Sequence, residues 1–238
     1  MSEIKALGFD VFGTVVDWRS SVARAAKPFL DQCGLGDVDP AMFADHWRAL
    51  YQPSMEVCRA ARREYVPLDV LHAEMLDEVL ASFGVTRSSH PELDRESFAR
   101  LWEKLSPWPD VPEGLARLKR KYIIAPISNG SIALMTRLAR YAGLPWDAIL
   151  GADISRTYKP ARRTYLAAAE ALQINPSELA LVAAHNDDLE AARVVGLRTV
   201  FVPRLTEHGP QQSSDLRSES DWDIVAEDFN ALANALGC

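Results

Sequence analysis

Ile4-Lys5-Ala6-Leu7-Gly8-Phe9-Asp10-Val11-Phe12-Gly13-Thr14 is the stretch that decides the fold. The apolar run Ile4–Phe9 stops at an acidic residue and then meets the turn-forming Gly13-Thr14 pair. This is the pattern of a buried strand that carries a carboxylate at its carboxyl end. Further along the chain, strand signals return at Tyr122–Ile127, Ala148–Gly151, Leu179–Ala183 and Arg198–Val202. Helical stretches lie between or after them: Glu113–Arg120, Ser131–Ala142, Ala161–Leu172 and Leu189–Val195. Strands alternating with helices imply parallel βαβ units, so the expected class is α/β, a doubly wound, Rossmann-like parallel sheet with helices on both faces. From Trp18 to about Leu105 the periodicity is helical instead, with breaks at Cys33–Pro40, Pro67 and Thr86–Pro91. The expected organisation is therefore an α/β core of residues 1–16 and 107–238, interrupted by an all-helical cap of residues 17–106. Thr206–Ser220, rich in Ser, Gln and charge, reads as an exposed loop before a final Trp222–Leu236 segment.

Size and charge agree with one large unit carrying an insertion. The 238 residues amount to about one and a half domains at roughly 150 residues each. Apolar residues make up 48% and charged residues 25%, a soluble globular balance. With 26 Lys+Arg against 33 Asp+Glu the net charge is −7, which argues against nucleic acid as a partner. Core and cap segments are both mildly acidic. No apolar run approaches the roughly 20 residues of a membrane span, and Met1–Lys5 does not open a signal peptide. Cys33, Cys58 and Cys238 are too few and too scattered for a disulfide framework or a zinc site. A cytoplasmic protein without a membrane partner is expected.

In an open α/β sheet, ligands bind beyond the carboxyl ends of the strands. There the chain places Asp10 to Thr14 after the first strand and Ser128-Asn129-Gly130-Ser131 after Tyr122–Ile127. Lys159 follows near Ser155–Pro160, and His185-Asn186-Asp187-Asp188 follow Leu179–Ala183. A strand-end Asp alone is often a turn or cap residue. A carboxylate, a hydroxyl–amide pair, a lysine and an acidic cluster at four strand ends make a much more specific set.

With these four motifs in order, the chain resembles the haloacid dehalogenase superfamily across nearly its whole length. The helical insertion after the first motif is similar to that superfamily's mobile cap. Most members hydrolyse phosphate esters, using a second Asp two residues after the nucleophile as general acid and a Mg²⁺ site completed by late aspartates. Here the second position is Phe12, and Ala183-Ala184 stand where a Gly-Asp pair is usual. General acid help is worth roughly 10²–10⁴-fold for a poor leaving group. A halide leaves as a stable anion and needs only donors aimed at it. Both departures point to carbon–halogen cleavage, and the branch resembled is the type II L-2-haloacid dehalogenases.

That resemblance implies a metal-independent hydrolase with no cofactor, in which Asp10 attacks the α-carbon of a short 2-haloalkanoate and water then hydrolyses the Asp10 ester. It implies catalytic roles for Asp10, Thr14, Lys159 and Asp188, with Lys159 neutralising a carboxylate and Asp188 at the family's water-activating position; Asp187 is the weaker candidate of that pair. It implies substrate binding by Ser128 and Asn129, bracing by Tyr165, and a halide-cradling arginine on the first long cap helices. Arg48, in His46-Trp47-Arg48, matches that context, while Arg59, Arg62 and Arg63 compete. Trp18, Tyr51 and Trp47 are candidates for an apolar wall, although aromatics at such spacing are more often cap core, and Phe12 stands in the pocket where that branch often carries a Tyr. His185 and Ala183 replace the Ser and Asn that hold the hydrolytic water in better-known members, so His185 either positions water or narrows the pocket, and a purely structural histidine is the plainer reading. The implied partners are a small 2-haloacid and its halide; a homodimer is left open, as relatives commonly dimerise. A phosphatase or strained-ring opener on the same fold, or a non-catalytic binding protein, are the alternatives. No Gly-x-Ser-x-Gly elbow, Gly-x-x-x-x-Gly-Lys-[Ser/Thr] loop or Gly-x-Gly-x-x-Gly fingerprint is present.

Overall fold

The computed structural model describes residues 3–238. Its first strand, β1 (Ala6–Phe9), is fully buried, as a continuous apolar run in a parallel sheet must be. β1 pairs in parallel with β4 (Ile123–Pro126) on one side and β5 (Leu179–Ala183) on the other. β6 (Arg198–Phe201) and β7 (Ile224–Val225) extend the sheet, giving the order β4-β1-β5-β6-β7. The chain leaves β1 to one side and returns to the other. The ends of β1, β4 and β5 therefore meet at a switch point, where a crevice opens.

Side-chain alternation along the strands makes the two faces. Ala180 and Val182 of β5 join Leu7 and Phe9 in a core with α6 (Val111–Leu118), α7 (Ile132–Ala142) and α10 (Phe229–Ala235). Leu179, Leu181 and Ala183 face the other way, against α8 (Arg162–Ala171) and α9 (Asn186–Val194). Asp187 and Asp188 fall in the first turn of α9, where carboxylates complement the helix dipole.

Between β1 and α6 the chain forms α1 (Trp18–Gln32), α2 (Pro40–Ala49), α3 (Tyr51–Arg59), α4 (Leu68–Ser82) and α5 (Arg95–Ala99). Asp17 and Asp39 cap α1 and α2 by accepting backbone N–H groups, and Pro40 opens α2. The segment is framed by an antiparallel ribbon, β2 (Val16–Asp17) with β3 (Ser106–Pro107). Its apolar side chains, including Trp47, Met55 and Met75, are continuous with the core through Phe12, Val15 and Trp18.

Two sequence expectations differ from the structure, and one segment left without an assigned element gains one. Ala148–Gly151 is not a strand: only Leu150 bridges to Ile127, and Gly151 runs so close to the Gly130–Ile132 backbone that a Cβ there would sit 2.6 Å from the Ile132 nitrogen. The Trp222–Leu236 segment contains an edge strand, β7, that two residues of pattern could not reveal. Thr206–Ser220 is not simply exposed, because Glu207 is only 2% accessible.

Arg204 anchors the start of that loop. Its guanidinium forks onto Asp110 at 2.7 and 2.9 Å and donates to the Thr14 carbonyl at 2.9 Å. Asp110 also accepts the Phe229 N–H at the start of α10. Burial opposes the Asp110 charge, but Arg204 and the backbone donor hold its carboxyl below the ordinary range. Arg204→Met should therefore cost about 3–5 kcal/mol by leaving a partly buried carboxylate unpaired. Thermal denaturation should show a fall in Tm on the order of 10 °C; an unchanged Tm would contradict this account of the pair.

Candidate active site

Asp10 follows β1 at the floor of a cavity of about 720 Å³. The tight turn behind it requires Gly13, whose φ of +98° few other residues adopt and where a Cβ would collide with Glu207. That turn brings the Thr14 hydroxyl back to donate to Asp10 Oδ2 at 2.7 Å, while its oxygen accepts the Ala184 N–H at 2.9 Å. Two cations complete the setting. Lys159 Nζ lies 2.9 Å from Asp10 Oδ1, and His185 Nδ1 lies 3.3 Å from Oδ2. Burial alone would raise the Asp10 pKa, but Lys159 and His185 outweigh it and hold the carboxyl well below the usual carboxylate range.

Lys159 is 5% exposed and bridges Asp10 to Asp188, whose Oδ2 is 2.6 Å away. Desolvation disfavours its charge, but the two carboxylates more than compensate, so its pKa rises. Its backbone N–H donates to Asn129 Oδ1 at 2.7 Å. The other Asp188 oxygen accepts the Tyr165 hydroxyl at 2.6 Å. Both Asp188 oxygens are thus committed, and burial with the neighbouring Asp10 charge pushes its pKa up, partly offset by Lys159. Asp187 is exposed at the rim.

The His185 ring, when protonated, donates through Nε2 to Glu207 Oε2 at 2.8 Å and pairs with Asp10 through Nδ1. Burial favours the neutral ring, yet Glu207 and Asp10 together hold its pKa well above the ordinary histidine value. Glu207 is fixed in turn by the Trp18 Nε1–H at 2.9 Å. Sequence reasoning missed Glu207. It lies beyond the carboxyl end of β6, and the strand-end rule, applied to that fifth strand as well, points to the same segment.

The opposite wall comes from α2 and α3. The Arg48 guanidinium stacks on Tyr51 with 3.8 Å to the ring centroid and also faces Trp18 and Phe12. Its buried Nη1 has no hydrogen-bond partner among the described residues. The competing arginines are placed elsewhere: Arg63 pairs with Glu74, Arg62 is exposed, and Arg59 pairs with Glu56 and reaches the Lys159 carbonyl. Phe12, Trp18, Tyr51 and Asn129 line the cavity. Trp47, an expected wall residue, does not; it is fully buried and donates to the His72 carbonyl within the helical segment. Ser128 is buried and does not line the cavity, its hydroxyl oxygen accepting the Gly130 N–H. Tyr165 acts on Asp188 from behind.

The donor set does not fit a divalent cation at Asp10. The oxygen such an ion would need is occupied by Thr14 and an imidazole held cationic, and Ala183-Ala184 offer no carboxylate. Among the described residues, no group of three or more His, Cys, Asp or Glu is disposed to hold a metal ion.

Residues 4–196 match the family model of the haloacid dehalogenase-like hydrolases. The (S)-2-haloacid dehalogenase 4A of Burkholderia cepacia is 31% identical over 241 residues, covering 98% of this chain and all of that protein. A solved defluorinating L-2-haloacid dehalogenase is 47% identical, with a TM-score of 0.96 and coverage of 99% of this chain and 96% of that one. A phosphoglycolate phosphatase of Chromobacterium violaceum is 28% identical over 240 residues, covering 98% of this chain and 99% of its own. No helix among the described residues is long and apolar enough to cross a membrane. With the family model spanning residues 4–196 and a relative 31% identical over nearly the whole chain, the protein belongs to the haloacid dehalogenase-like hydrolase family, where it resembles the L-2-haloacid dehalogenases.

Proposed function

We propose that the protein hydrolyses the carbon–halogen bond of short 2-haloalkanoic acids without a metal or cofactor. The observation that carries this reading is the pairing of Asp10, an ionised and doubly compensated carboxylate, with an Arg48 guanidinium across the cavity whose buried Nη1 has no hydrogen-bond partner among the described residues. One holds a nucleophile; the other offers N–H donors to a departing anion.

An Asp10 oxygen attacks the α-carbon from the face opposite the halogen. The new carbon–oxygen bond forms as the carbon–halogen bond breaks, the halide leaves toward Arg48, and the centre inverts, so an L-acid gives a D-hydroxy acid. Lys159 and Asn129 face the same cavity and suit the substrate carboxylate. Esterification removes the Asp10 charge and with it one of the two anions that keep His185 protonated. The imidazole can then give up its Nδ1 proton while Nε2–H stays on Glu207, leaving Nδ1 facing the ester carbonyl. With the Nδ1 proton released to solvent, water attacks the Asp10 carboxyl carbon and His185 takes one of its protons. The ester carbon–oxygen bond then breaks as the second water proton passes to the leaving oxygen. This frees the hydroxy acid, the Asp10 carboxylate and a His185 that is again protonated. In this scheme Asp188 holds Lys159 in place with Tyr165, and the water falls to His185 and Glu207.

A phosphatase reading has the Chromobacterium violaceum relative in its favour, but Phe12 gives an alkoxide leaving group no proton, being buried among Tyr51, His72 and Trp102. Halide release from 2-chloropropionate enantiomers, chloroacetate and fluoroacetate, and phosphate release from phosphoglycolate with Mg²⁺, separate the two. Halide release should be L-selective, unchanged by EDTA and lost in Asp10→Asn. Chelator-sensitive turnover, or phosphate release outpacing halide release, would refute the proposal. Because Asp10 stays ionised below the ordinary carboxylate range, kcat/KM should hold into acid where a free aspartate would already be protonated; an acid limb at the ordinary carboxylate value would contradict this assignment.

Glu207→Gln and His185→Ala should split the two steps. Each should still form the ester and release about one equivalent of halide per site, then turn over roughly 10²–10⁴-fold more slowly. Intact-protein mass spectrometry should show the adduct accumulating on Asp10. Steady turnover at the wild-type rate, with no adduct, would remove His185 and Glu207 from the hydrolytic step.

A further inference from the structure

Arg59, the last residue of α3, reaches out of the helical segment to the backbone of the lysine that holds Asp10. Its Nη1 donates to the Lys159 carbonyl at 2.8 Å. Its own helix aims it: Glu56 takes Nε at 2.7 Å, and Gln52 Oε1 lies 3.3 Å from Nη1 and Nη2. The contact belongs to a short seam. The Tyr158 hydroxyl donates to the Val66 carbonyl, the Tyr65 hydroxyl donates to Asp153 Oδ1 at 3.3 Å, and the two tyrosine rings are 5.4 Å apart. Residues 59–66 and 153–159 thus hold one another at three polar points.

The peptide groups on either side of the Lys159 Cα are consequently held by different parts of the protein. Asn129, on the sheet side, accepts its N–H at 2.7 Å, and Arg59, on the helical side, donates to its carbonyl. Rotating the carbonyl-side peptide would swing the side chain, and Nζ sits between two carboxylates at 2.6 and 2.9 Å that leave little slack. An arginine serving only its own helix would have no need to direct a guanidinium nitrogen onto this carbonyl, since Glu56 already neutralises it.

We propose that Arg59 is a positioning residue: through its hydrogen bond to the Lys159 carbonyl, seating of residues 59–66 on the core sets the Lys159 ammonium against Asp10. Docking of the helical segment and alignment of the nucleophile become one event. The kinetic consequence rests on the dehalogenase reading above; the geometric consequence at Asp10 does not, and the two are measured separately.

The variants are Arg59→Met, which keeps the stem and loses the donors, Arg59→Lys, which restores a charged donor, and Tyr158→Phe, which loosens the same seam elsewhere. Asp10 is titrated by carbon NMR in the full chain labelled at aspartate carboxyls, with Asp10→Asn used for assignment. The groups facing Asp10 are Lys159, His185 and Thr14, with Asp188 behind Lys159. Withdrawal of Lys159 in Arg59→Met should raise the Asp10 pKa, Arg59→Lys should reverse part of the rise, and Tyr158→Phe should show a smaller rise. In halide release from L-2-chloropropionate, Arg59→Met should lose about 10–100-fold in kcat. Its KM should rise as well, because Lys159 also faces the substrate carboxylate, and its acid limb should move up with the Asp10 titration. An Asp10 titration and acid limb identical to wild type in Arg59→Met would overturn the proposal, even if Tm or kcat falls, because Arg59 would then only be stabilising the fold. A wild type that releases no halide, with the Asp10 shift still present, would overturn the dehalogenase reading and leave the positioning role standing.

Discussion

One buried ammonium shared by two carboxylates is the constraint on which the rest of this molecule depends. Each charge removed from water costs several kcal/mol unless a partner is held at close range. Asp10, Lys159 and Asp188 are all nearly excluded from solvent and come from three separate stretches of chain. Only a topology that brings the ends of β1 and β5 and the approach to α8 to one point can satisfy them together. The sheet order supplies that point, with β1 flanked by β4 and β5. Tyr165, Thr14 and Asn129 then close the remaining hydrogen bonds, so the cluster is fixed in one arrangement.

A second cation sits beside Asp10. His185 sits between Asp10 and Glu207, where its charge is compensated on both sides. The consequence is a histidine whose protonation follows that of its neighbours: while Asp10 is anionic the ring is held charged, and once Asp10 is neutralised as an ester the ring is free to accept a proton. In the proposed mechanism the same side chain thereby helps keep Asp10 ionised in one step and serves as base in the next. Phe12, which removes a general acid, matters little to a halide leaving group.

Much of this was legible in the sequence, for reasons that differ by residue. The β1 run and its terminal Asp10 were readable because a strand buried on both faces must be continuously apolar and the break is abrupt. Lys159 and Asp188 were readable because strand ends in an α/β sheet converge, and Arg48 through its resemblance to a family context rather than any local pattern. Glu207 was hidden in a loop whose Ser, Gln and charge content suggested exposure; its burial comes from Trp18, 189 residues earlier in the chain, and from the space left by Gly13. Ser128 and Trp47 had suitable chemistry but are buried behind the cavity lining, Trp47 in the helical core that its aromatic spacing also suggested. Ala148–Gly151 had the composition of a strand, yet a close backbone approach at Gly130 leaves it a single bridge. Long-range burial and close backbone packing, rather than local propensity, account for the differences.

The central claim is that the bond to the substrate is made by Asp10 and that water attacks the enzyme rather than the substrate. The most direct measurement is a single turnover, with enzyme in excess over L-2-chloropropionate, in water enriched in the heavy oxygen isotope. Mass spectrometry then reads the peptide containing Asp10 and the released 2-hydroxypropionate. The account predicts label in the Asp10 carboxylate and none in the first-formed product. Label in the product, with Asp10 unlabelled, would mean that water displaces the halide directly and would contradict it.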